Sequence, residues 1–164
     1  MIVKKGELNM KKIFIILGIL IFSTATVAKQ SFEAGFGTNY GALGGVVVTQ
    51  DLSSNVEMFA GLGVGMESVA YVVGTKFWLN NTTRLTMNYG TNCIDETYDI
   101  STGKYAWKDY EGLNFGIGYA FSGKDEAGWA FDLMLLDTSD CNADSTALDI
   151  DYDSAIRLSA GYRF

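Results

Sequence analysis

The chain has 164 residues, 48% hydrophobic and 13% aromatic, with 19 Gly, no Pro and no His, and a formal charge of −7. That length suits one domain, and the acidic balance gives no electrostatic reason to bind nucleic acid. Many Gly and aromatic residues with few charges suit closely packed strands better than a helical bundle.

Lys11 and Lys12 precede an apolar run, Ile13 to Phe22, which is followed by the small residues of 23–28. This charged, apolar, small-residue order predicts a secretory signal peptide over 1–28, cleaved after Ala28. The apolar run is short for the alternative, a retained anchor, which needs roughly 17 residues or more. Residues 1–9 read as an upstream extension, since Met10-Lys11-Lys12 is itself a natural signal start. Taking 1–28 away removes four Lys and Glu7, leaving 8 basic and 18 acidic residues and a formal charge of −10. The segment 29–164 contains no apolar run of the roughly 20 residues a membrane helix needs, so any crossing must use strands.

From residue 30 onward the dominant pattern is period-2 alternation. Segment 31–40 sets Phe32, Ala34, Phe36, Thr38 and Tyr40 against Ser31, Glu33, Gly35, Gly37 and Asn39. A second strand is predicted over 43–51, where Val46-Val47-Val48 gives no phase. Strands over 56–66, 69–79, 84–92, 112–121, 129–137 and 155–164 follow, each apolar on one face and small or polar on the other. The count is eight, each of about 9–11 residues, the length a tilted strand needs to cross a bilayer. Short polar turns at 51–55, 80–83 and 122–126 lie at one end, and long loops at 93–109 and 138–154 at the other. In outer-membrane barrels short turns face the periplasm and long loops face outward.

One face carries Leu, Ile, Val, Phe and Tyr, too bulky to fill an eight-stranded lumen together, and the other carries Gly, Ala, Ser and Asn. The large residues are therefore predicted to face lipid. Tyr40, Tyr71, Tyr89, Trp129, Tyr162 and Phe164 fall near strand ends, where interfacial aromatic girdles belong. The inward set includes Glu33, Glu57 and Asp132 with Lys76, Arg84 and Arg163. Charges in a narrow lumen are costly unless paired, so an ion-pair network that plugs the barrel is expected. The sequence thus predicts an all-β protein, an eight-stranded antiparallel up-and-down transmembrane barrel over 29–164.

The last strand, Ile156 to Phe164 with Tyr162 two residues from its end, alternates apolar residues and finishes on Phe. It resembles the C-terminal assembly signal of outer-membrane proteins, and with eight strands the chain resembles the OmpA/OmpX-type group, including the Ail/Lom-like surface proteins. The resemblance implies recognition by the barrel assembly machinery, lipid and lipopolysaccharide as surroundings, residence in the outer membrane of a Gram-negative bacterium, and roles in adhesion, host-factor binding or envelope integrity.

Cys93 and Cys141 both map to the long-loop end. In an exported chain two Cys are expected to pair, and closing the intervening loop of about 49 residues is worth roughly 4 kcal/mol in the chain-entropy model. The acidic segment Asp140-x-Asn142-x-Asp144, with Asp151, echoes the oxygen spacing of a calcium loop but lacks its central Gly and terminal Glu. The bland reading is a solvated acidic loop, and no metal or cofactor is assigned. Enzymes with the resembling barrels use a His as base or partner; none is present, so no catalytic residue is assigned. Gly61, Gly63 and Gly65 alternate along a strand and read as lumen packing rather than phosphate binding. The function expected is a monomeric outer-membrane structural and surface-interaction protein acting through its loops, where Tyr98, Tyr105, Trp107 and Tyr110 offer aromatic contacts. The alternatives are a narrow channel for small solutes and a soluble lipid-binding barrel.

Overall fold

The computed structural model describes residues 29–65, 69–99, 104–137 and 156–164, and at 42, 93–99 and 104–109 it describes the backbone alone. Eight strands occur: β1 (Gln30–Gly37), β2 (Ala42–Ser53), β3 (Val56–Val64), β4 (Val69–Trp78), β5 (Thr83–Asp99), β6 (Lys104–Ala120), β7 (Gly128–Leu136) and β8 (Ile156–Arg163). Each pairs antiparallel with its sequence neighbours, and β8 pairs with β1, so the sheet closes into a barrel. Closure leaves no sheet edge around the ring. The Phe164 amide donates to the Phe32 carbonyl at 2.9 Å and extends the β8–β1 seam to the last residue.

The alternation of the sequence becomes an inversion of the usual globular arrangement. Phe36, Ile117, Leu133 and Leu158 are each more than half exposed on the outside, while Glu33, Glu57, Lys76, Arg84 and Asp132 are buried inside. The Val46-Val47-Val48 run resolves with Val47 buried in the lumen and Val46 exposed outside. Glycines let the lumen hold large groups. A Cβ at Gly118 would collide with the Asp132 carboxylate, and one at Gly74 would lie 2.6 Å from the Phe59 ring.

Two expectations are corrected. The first strand does not run to residue 40. It ends at Gly37, and Thr38–Tyr40 form a single 3-10 turn inside the barrel. Gly37 (φ 93°) and Gly41 (φ 73°) occupy the left-handed region on either side of that turn, a conformation other residues rarely adopt. Tyr40, expected in an outer girdle, is therefore buried at 1% exposure in contact with the lumen residues Val47, Phe59 and Val72.

The second correction concerns 93–109. Instead of a loop, β5 and β6 stay paired from Thr83↔Tyr119 to Asp99↔Lys104. Among the described residues, β4 leaves β5 at Val72↔Gly90 and β7 leaves β6 at Asn114↔Leu136. The remainder is a two-stranded ribbon reaching roughly 25 Å beyond the ring at about 3.4 Å per residue. Its register sets Asp95 opposite Lys108 and Asp99 opposite Lys104. A bulge between Thr91 and Cys93 marks where the ribbon leaves the barrel wall.

Candidate functional site

The feature of the molecule richest in chemistry is the polar column in the lumen. All six charged residues expected there are brought together, on β1, β3, β4, β5, β7 and β8. Arg163 sits between two acids: its Nη2 lies 2.6 Å from Glu33 Oε1 and 2.9 Å from Glu57 Oε2. Lys76 Nζ donates to both oxygens of Glu33 at 2.7 Å. Arg84 makes a two-point pair with Asp132, Nε to Oδ1 at 3.1 Å and Nη2 to Oδ2 at 2.7 Å. Thr86 Oγ1 also donates to Asp132, at 3.0 Å. Three cations thus meet three carboxylates with short bonds on nearly every oxygen, the condition under which buried charges persist.

Alternation places the other partners of this column on the inner face, with the exception of Tyr40. Tyr40 donates its hydroxyl to Glu33 Oε2 at 3.0 Å and caps the four-residue cluster. Trp78 lies in the lumen with the guanidinium carbons of Arg84 and Arg163 at 5.4 and 5.6 Å from its ring, and the Lys76 ammonium lies 5.1 Å from the Phe59 ring centre. These are cation–π distances. Above the ions runs a chain of amides: Asn114 Nδ2 donates to Asn88 Oδ1 at 2.8 Å, and Asn88 Nδ2 to Asn39 Oδ1 at 2.6 Å. The signal for Tyr40 was present in the two glycines flanking 38–40. Alternation alone carried the strand past them.

On the outer face, Trp129, Tyr162 and Phe164 form an edge-to-face series with centroids 5.5 and 5.1 Å apart, beside the β8–β1 seam. Tyr71 and Tyr89 lie near the other rim, where the Tyr71 hydroxyl donates to Glu111 Oε2 at 2.7 Å. Tyr110 is half-buried at the base of the ribbon. The expected disulfide lies outside the described residues, since Cys93 is described as backbone only and Cys141 not at all; so do the calcium candidates Asp140, Asn142, Asp144 and Asp151. Beyond the strands, Lys29 Nζ donates to Asp125 Oδ1 at 2.9 Å and holds that carboxyl below its usual range.

No family model matches the chain, and neither a curated protein nor a solved structure does.

Proposed function

We propose that this chain is an outer-membrane β-barrel whose apolar belt faces lipid and whose work is done at the surface by the β5–β6 ribbon. The observation that carries this reading is the inverted polarity of the barrel: exposed Phe, Leu, Ile and Val outside, buried ion pairs inside. An outer face of that size and apolarity is a liability in water and a requirement in a bilayer. A soluble lipid-binding barrel needs an apolar cavity, and this lumen is filled by charges, amides and Tyr40. The same filling disfavours an open channel.

The signal-like order of residues 11–28 and the alternating last strand with its Phe164 support delivery to the outer membrane through the assembly machinery, with lipopolysaccharide as neighbour. The ribbon supplies a projecting surface that carries Tyr98, Tyr105 and Trp107 in its sequence, suited to adhesion or to contact with an extracellular partner. Fractionation of cells producing the full chain tests the location. The protein is expected in the outer-membrane fraction and to migrate differently on gels before and after boiling. Recovery from the soluble periplasm overturns the reading. Shortening the ribbon to Thr91–Glu111 should then abolish surface binding while the gel shift remains.

A further inference from the structure

The turn between β6 and β7 does more than connect them. In a ring of eight strands the β6–β7 turn stands opposite the β2–β3 turn, with the β4–β5 turn on one side and the chain ends on the other. Residues 122–126 contact all three. The Lys124 amide donates to the Asn81 carbonyl of the β4–β5 turn at 2.7 Å. The Lys124 side chain reaches across to the β2–β3 side, where Nζ donates to the Ser54 carbonyl at 2.8 Å and pairs with Asp51 Oδ1 at 3.0 Å. Its own carbonyl accepts from Arg163 Nη1, and Asp125 accepts from Lys29. Gly123, at φ 98°, packs against Asn81 so closely that a Cβ would strike the amide.

Lys124 is buried to 6% exposure, unusual for a lysine in a surface turn. Directly beneath it lie Glu57 and Arg163, and beside the turn a partly open pocket of about 70 Å³ is lined by Gln30, Asp51, Glu57, Lys124, Arg163 and Phe164 among others. We propose that residues 122–126 are a lid across this mouth of the barrel, latched by Lys124, which shields the outermost ion pair from bulk water. Entry of any solute from this end therefore begins with release of the Lys124 latch. The proposal does not depend on the membrane reading, because it rests on contacts within the barrel alone.

Proton exchange with water at the arginine side chains tests it, measured by NMR on the folded full-length chain in detergent micelles. Arg163 Nε donates to Glu33 just under the lid, and Arg84 Nε donates to Asp132 as part of a separate pair. Both should exchange slowly in the unaltered protein. In Lys124→Ala, exchange at Arg163 Nε should rise about tenfold or more while Arg84 Nε stays slow, as local opening requires. Leu133→Ile, on the outer face and away from the lid, should change neither. Lys124→Met, which keeps the apolar stem, serves if the alanine variant fails to fold. Fast exchange at Arg163 in the unaltered protein, no change on losing the Lys124 ammonium, or equal acceleration at both arginines would each overturn the lid.

Discussion

The two faces of the barrel are built from the same eight strands and obey opposite rules. On the outer face the directional contacts are those between aromatic rings, and elsewhere what matters is that each residue is large and apolar. In the lumen every carboxylate oxygen of Glu33, Glu57 and Asp132 has an assigned donor, as with Arg163 between Glu33 and Glu57. Replacement of one outer residue by another of similar polarity should be tolerated, whereas the lumen is a coupled set in which one loss strands several groups.

Removing one member of the lumen set should therefore have the largest effect. Glu33→Ala leaves Lys76 and Arg163 without their shared carboxylate and should destabilise the barrel by roughly 3–5 kcal/mol, the cost of a buried charge left unpaired. Urea unfolding from micelles or vesicles measures it. The outer face should respond to charge rather than to detail. Leu133→Arg, midway along β7 and exposed, should cost about 2–4 kcal/mol in a bilayer, while Leu133→Ile should cost under about 1 kcal/mol. Replacing both partners of the second lumen pair, Arg84→Met with Asp132→Leu, should be close to neutral, within about 1 kcal/mol, because no charge is then stranded. A double variant as damaging as Asp132→Leu alone would mean that lumen packing outweighs pairing. The exposed Lys29–Asp125 contact should be worth nothing measurable on removal.

The contrast also explains what could be read in advance. Strand number and facing follow from a period of two, a signal that each of the eight segments repeats independently, so Leu113, Phe115 and Ile117 pointed outward without knowledge of their neighbours. The six lumen ions were legible for the same reason. Their pairing was not, because Glu33 meets Arg163 across 130 residues and only closure of the ring brings them together. Thr38 and Tyr40 continue the alternation of β1 in the sequence, and the positive φ at Gly37 and Gly41 overrides that pattern and turns Tyr40 inward. In the sequence the ribbon reads as a loop because residue types such as those of Asp95, Glu96, Asp99, Lys104 and Lys108 are depleted in strands. That Asp95 stands opposite Lys108 and Asp99 opposite Lys104 becomes visible only once the register is known.

The central claim is that the outer face meets lipid and the lumen does not, and two tryptophans report on it. Trp129 is about half exposed on the outer face, and Trp78 is buried inside. Fluorescence of the full chain in vesicles of lipid brominated on its acyl chains should separate them. The Trp107→Phe variant, which retains both residues, should be strongly quenched, and Trp107→Phe with Trp129→Phe, which leaves Trp78 alone, should be quenched little. Equal quenching of the two variants, or none in either, would contradict the account.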